Sequence, residues 1–161
     1  MGASVEFTVN GTARSVAVDT DTSLLFVLRQ NLGLTGSHLG CGLNQCGACN
    51  VLMDGHVIAA CDTPVWSVAG KSITTIEGLG SRDNPHPLQN AFIEEQAAQC
   101  GYCLSGILIT AAALLKSNPD PDETEIRAAL DGNLCRCGAH NRIVRAIQKA
   151  ASTMQAAGVS A

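Results

Sequence analysis

Apolar and polar residues alternate through Val5, Phe7 and Val9, Asn10-Gly11 follows, and Val16 and Val18 alternate again on the return. A period of two marks a strand with one buried face, and Asn-Gly is the pair that a type I′ hairpin turn favours. Thr22 or Ser23 then caps a short helix through LLFVLRQN, which Gly33 ends. After a loop rich in glycine and cysteine, NVLMDGHVIAAC predicts a second hairpin turning at Asp54-Gly55, and SITTIEGL supplies one more strand. This order predicts a mostly antiparallel sheet crossed by one helix.

The pattern changes at GSRDNPHPLQ, where a polar cluster with glycine and proline marks a boundary. Beyond it the periodicity is helical, with helices predicted near residues 88–98, 102–116, 122–131 and 140–151. Asp122 and Glu125 make a capping-box start for the third helix, and Ile143, Ile147 and Ala150 form the buried stripe of the fourth. Four short helices on short links predict a compact bundle. The final TMQAAGVSA is expected to fray. The fold class is therefore α+β, with residues 1–79 as one domain, 80–87 as a linker and 88–161 as a second domain.

Composition narrows the chemistry. Aromatic residues make up only 3% of the 161, so few large side chains fill the interior and something besides a core is expected to hold it together. The formal charge of -4, with no run of lysine or arginine, gives no surface for nucleic acid or anionic membrane. MGASVEFTVN lacks the basic start and apolar run of a signal peptide, and Glu6 stands where a myristoylation signal needs serine or threonine. No apolar stretch approaches the roughly 20 residues of a membrane span, so direct membrane insertion is not expected. A chain without an export signal is expected in the cytoplasm, where thiols stay reduced, and its eight cysteines then point to metal before disulfides.

Four cysteines fall in each half. Cys41, Cys46 and Cys49 form C-x4-C-x2-C with Cys61 further on, the plant-type ligand spacing for a 2Fe-2S cluster. The small residues Gly40, Gly42, Gly47 and Ala48 let peptide N–H groups approach the sulfurs. The second set is Cys100, Cys103, Cys135 and Cys137, a C-x2-C and a C-x-C, each expected where a helix begins. An anionic cluster suits the free N–H groups and positive dipole end of a helix N-terminus. A structural zinc also accepts four cysteines, although neither C-x4-C-x2-C nor C-x-C is its usual spacing. CGYC imitates a thioredoxin-type redox pair without the preceding strand, and no C-x-x-C-H exists for haem attachment. Cys137 and His140 make half of a Rieske pattern, but no C-x-H lies upstream.

With both cysteine sets in hand, the chain resembles the small iron-sulfur subunits of the molybdenum hydroxylases, the family of xanthine dehydrogenase and aldehyde oxidoreductase. The likeness runs from VNG through LRQNLGLTGSHLGCGLNQCGACNVLMDG, TIEGL, QCGYCLSG and GNLCRCGAHNRI to the last helix. HPLQNAFIEEQAAQCGYC is most similar to subunits of nicotinate- or isoquinoline-type N-heteroaromatic hydroxylases. The resemblance implies a β-grasp ferredoxin domain followed by a four-helix domain, each holding one 2Fe-2S cluster. It also implies a large partner subunit with a molybdenum-pterin cofactor, and a flavin (FAD) or haem acceptor in a further partner such as a cytochrome. The chain would then conduct electrons from molybdenum outward, with the helical-domain cluster nearer the pterin and the Cys41–Cys49 loop on a polar, open acceptor side. Gln99 and Cys137 match the family positions that approach the pterin. With the chain ending soon after the second set, neither molybdenum nor flavin is expected within it, and no catalytic residue of its own.

Two other readings use the same residues. A free-standing ferredoxin would explain the first cysteine set and leave the helical half and Gln99 without a role. A zinc-stapled interaction module would have no redox function. Co-export with a folded partner would place the chain in the periplasm instead. His38, His56 and His86 are expected at the surface or in turns, and Trp66 in the packing between domains.

Overall fold

The computed structural model describes residues 4–158. β1 (Ser4–Val9) and β2 (Thr12–Ala17) pair antiparallel around Asn10 and Gly11, whose φ values of 49° and 77° are those of the expected type I′ turn. β3 (Asn50–Met53) and β4 (His56–Ala59) repeat the device at Asp54-Gly55, with φ values of 50° and 86°. β5 (Ser72–Thr74) enters between the two hairpins, antiparallel to β3 and parallel to β1, and completes the order β2-β1-β5-β3-β4. The parallel pairing is long-range in sequence, so local alternation carries no sign of it.

Ser23 caps α1 (Leu24–Phe26) by accepting the N–H of Phe26 at 3.3 Å. The helix continues as a π turn over Val27–Asn31, closed by the Leu32 N–H on the Val27 carbonyl at 3.1 Å. Leu24 and Leu28 pack fully buried against the sheet with Val51 and Ile73. Burying one such side chain contributes roughly 1.5–3 kcal/mol.

Four helices follow: α2 (Pro87–Glu94), α3 (Leu104–Ser117), α4 (Glu123–Ala129) and α5 (His140–Ala157). α2 stops short of the expected residue 98 because Gln96 turns the chain with a φ of 49°. Its start is capped by His86, half-buried, which accepts the Leu88 N–H through Nδ1, while Gln89 accepts the His86 N–H. Burial of the imidazole lowers its pKa and favours the neutral form that can accept. The expected frayed tail is instead helix as far as Ala157, since Met154 is buried in the helical core and Gly158 closes the helix with a φ of 63°. Residues 159–161, the last of that tail, lie outside the described residues, as do residues 1–3.

The expected capping box of α4 forms: Asp122 accepts the Glu125 N–H and Glu125 accepts the Asp122 N–H, both at 2.8 Å. Asp122→Ala should cost about 1 kcal/mol, read as a lower thermal midpoint for loss of helical signal. An unchanged midpoint would mean the cap contributes nothing.

Each half has its own core, one around Leu24, Leu28 and Ile73, the other around Leu88, Ile107, Ile143 and Ile147. The halves meet where α3 lies across β3 and β4. Asn50 donates to the Thr110 hydroxyl there at 3.1 Å, buried. A Cβ on Gly106 would stand 1.8 Å from the Gly47 carbonyl oxygen, so glycine is what lets the helix touch the cysteine loop. Ile76 and Leu79 also pack against the helical core. Trp66, expected between domains, is 56% exposed on a short 3-10 turn (Val65–Val68). Among the described residues no helix is long and apolar enough to cross a membrane.

Candidate metal centres

The loop between α1 and β3 carries the first three cysteines, and it is held from behind. Arg29, in the last turn before the loop, donates to the carbonyls of Thr35 and Ser37 at 2.6 and 2.7 Å, which fixes the entering backbone. Within the loop, the N–H groups of Leu43 and Gln45 point at the Cys41 sulfur at 3.4 and 3.2 Å, and the Cys41 N–H points at the Cys46 sulfur at 3.3 Å. These donors, Leu43 first, hold the Cys41 thiol down at about 7. A side chain on Gly40 would put its Cβ 2.4 Å from the Cys46 sulfur. Gly47 takes a φ of 69° and its open side is filled by Asn133. The expected reason for small residues here, close approach to sulfur, holds at Gly40; at Gly47 it is Asn133 and the Gly132 carbonyl that leave no room for a side chain, and Gly42 meets only Leu39.

Cys49 lies buried at the start of β3, beside Cys61, which follows β4. Burial pushes the Cys49 thiol up to about 12, so without a bound cation it stays protonated, while a metal would draw off the proton. In the other half, Cys103 is the residue before α3, and Cys135 and Cys137 lie just before α5. Cys103 is also pushed up to about 12 by burial and stands against Cys135. The Cys137 and Cys100 sulfurs are 3.5 Å apart, and the Tyr102 N–H lowers the Cys100 pKa.

The thiols are therefore gathered two by two: Cys41 with Cys46, Cys49 with Cys61, Cys100 with Cys137, Cys103 with Cys135. Among the described residues no three metal-binding side chains converge on one ion-sized point. Two pairs from one region suit a binuclear rhomb, whose irons each take two thiolates, better than a tetrahedral zinc taking all four. The donor set and its N–H groups fit such a cluster in both halves.

Gln99, exposed, donates through Nε2 to the Cys137 carbonyl at 3.2 Å, which brings together the two residues singled out for a pterin contact. Sequence reasoning missed the residues that join the two loops. The Tyr102 hydroxyl donates to the Leu39 carbonyl at 2.7 Å, and the Leu134 N–H donates to the Cys46 carbonyl at 3.0 Å. His38, in the loop and half-buried, stacks on Tyr102 with ring centroids 4.5 Å apart. Arg29 could have been suspected as the last charge before a long uncharged stretch. The others depend on how the halves dock, which no local pattern encodes.

Residues 7–71 match the family described as 2Fe-2S iron-sulfur cluster binding domain, and residues 75–148 match that described as 2Fe-2S binding domain. The chain is 50% identical over 153 residues to one of the subunits of nicotinate dehydrogenase from Pseudomonas putida, covering 95% of this chain and 98% of that one. It is 51% identical over 148 residues to the alpha subunit of isoquinoline 1-oxidoreductase from Brevundimonas diminuta, covering 91% and 97%. The crystal structure of the aldehyde oxidoreductase from Desulfovibrio desulfuricans superposes with a TM-score of 0.93 at 41% identity, over 97% of this chain and 17% of that chain. The chain belongs to the family of small 2Fe-2S subunits of the molybdenum hydroxylases. It is the iron-sulfur subunit of an oxidoreductase, and its role is electron transfer.

Proposed function

We propose that Cys41, Cys46, Cys49 and Cys61 hold one 2Fe-2S cluster and Cys100, Cys103, Cys135 and Cys137 a second, and that the chain serves a large molybdenum-pterin subunit. The observation that carries this is the gathering of eight thiols into four pairs, two pairs in each half. When bound, each cluster would accept and release one electron at a time. The protein's part is to fix the sulfurs, aim N–H groups at them and exclude bulk from the loops. Cys103 before α3 and Cys137 before α5 use the positive ends of two long helices toward an anionic group.

Gln99 and the Cys137 backbone would face the pterin. The Gln99 amide is exposed, its Nε2 already anchored on Cys137, and its remaining oxygen is free to accept from a ring nitrogen. The organisation into residues 1–79, a link over 80–87 and residues 88–161 is supported by the two separate cores, although Ile76 and Leu79 reach across to the second. The sheet order, with α1 against the sheet, supports the β-grasp reading of the first domain, and α2–α5 the four-helix reading of the second.

For substrate class we favour an N-heteroaromatic compound, on the names of the two relatives near half identity, with an aldehyde as the second reading on the aldehyde oxidoreductase likeness. A flavin or cytochrome partner would accept the electrons. The chain by itself should hydroxylate nothing, because the hard redox chemistry belongs to the partner's cofactor. Purified chain should show no turnover, and adding the large molybdenum subunit should restore it. Hydroxylation by the chain alone, free of molybdenum, would overturn the reading.

A further inference from the structure

No residue from Leu39 to Gln45 is buried, and the two leucines there, Leu39 and Leu43, are 58% and 68% exposed. This stretch carries Cys41 and leads to Cys46, so the sulfur loop takes its shape from hydrogen bonds and not from packing. Arg29 holds the carbonyls of Thr35 and Ser37, the His38 N–H donates to the Ala48 carbonyl at 3.1 Å, and the Tyr102 hydroxyl donates to the Leu39 carbonyl at 2.7 Å. Arg29 and His38 belong to the same half as the loop. Tyr102 belongs to the other half, and its bond comes last before the sulfurs, on the peptide that enters Gly40.

Because peptides are planar, only φ and ψ of Gly40 separate the held Leu39 carbonyl from the Cys41 N–H. Glycine restrains those angles least, and a side chain cannot stiffen them here, since a Cβ on Gly40 would stand 2.4 Å from the Cys46 sulfur. The anchor at Leu39 therefore directs the Cys41 N–H to the Cys46 sulfur, and after it the Leu43 and Gln45 N–H groups to the Cys41 sulfur. Tyr102 is itself fixed. It stands between Cys100 and Cys103, its N–H serves the Cys100 sulfur, and its ring stacks on His38. The same residue thus touches a sulfur of the second set with its N–H and the loop of the first set with its hydroxyl. A phenylalanine could stack on His38 equally well, so the hydroxyl is the part the loop uses.

We propose that Tyr102 is a positioning residue for electron transfer: through the Leu39 carbonyl it keeps N–H groups on the Cys41 and Cys46 sulfurs, and so sets the reduction potential of the first cluster relative to the second. This rests on the two-cluster reading above. N–H groups aimed at sulfur stabilise the more negative, reduced cluster and raise its potential. Without the hydroxyl they would loosen, and the first cluster would become harder to reduce. Cys41 is exposed already, so added solvent changes little. One electron passes between the clusters, and Tyr102 is neither oxidised nor deprotonated in the step.

The test is a redox titration of the iron-loaded chain followed by electron paramagnetic resonance. The centre that Cys46→Ser removes and the centre that Cys103→Ser removes are read in the same sample. In Tyr102→Phe the reduced-to-oxidised ratio of the first centre should fall about fivefold at a fixed ambient potential, the size of one net hydrogen bond. The second should keep its wild-type ratio, because the N–H on Cys100 is backbone and stays. Amide exchange should also rise in peptides covering residues 40–46. An unchanged ratio for the first centre, or an equal shift of both, would overturn the proposal, as would unchanged exchange across residues 40–46. A wild-type chain with a single centre would overturn the two-cluster reading instead, and is told apart before any Tyr102 variant is made.

Discussion

Cys46→Ser should remove one iron-sulfur centre and leave the other, cutting iron from about four atoms per chain to about two. Cys46 shares its loop with Cys41, and the loop's N–H groups converge on these two sulfurs, whereas the second thiol set stands before α3 and α5 on a separate core. Cys103→Ser should give the complementary loss. Reduced samples would be read by electron paramagnetic resonance: the wild type should show two distinct signals, and each variant should keep the one the other loses. Disappearance of both signals from either folded variant would contradict two independently built centres.

Gly106→Ala should separate the two halves of the molecule. The added Cβ would meet the Gly47 carbonyl oxygen at 1.8 Å and carbonyl carbon at 2.8 Å, and both are backbone atoms with no rotamer to escape into. α3 must therefore lift from the loop, straining the Asn50–Thr110 bond and the contact of the Ser105 hydroxyl with the Ala48 carbonyl. Overpacking of this kind costs roughly 1–3 kcal/mol, and here it falls on the loop that carries Cys46 and Cys49. The variant should unfold at a lower temperature and lose the Cys41–Cys61 centre faster on dilution than the other. Wild-type stability and equal cluster lifetimes would mean that the contact is not needed.

Much of this is legible in the residues. Both hairpins follow from alternation and from Asn-Gly and Asp-Gly turns, and α4 begins at its capping box because both partners of the box are local. The sulfur loops are legible because thiolate spacing and small residues are local demands of one ligand. What escapes is set by distant contacts. β5 pairs parallel with β1 across most of the first domain, and α5 runs past its expected end because the core of the other helices buries Met154. Gln96 ends α2 with a backbone conformation that glutamine seldom adopts, so nothing local signals the stop. His38, Tyr102 and Leu134 join the halves only once α3 has docked, and the exposed leucines pass for members of a polar loop because their glycine-rich surroundings suggest one.

The most direct measurement is the iron, acid-labile sulfide and zinc content of the chain purified with its partner under conditions that protect clusters. Pairing of all eight cysteines around two 2Fe-2S clusters requires about four irons and about four sulfides per chain with negligible zinc. Stoichiometric zinc without sulfide, or about two irons in fully loaded protein, would contradict it.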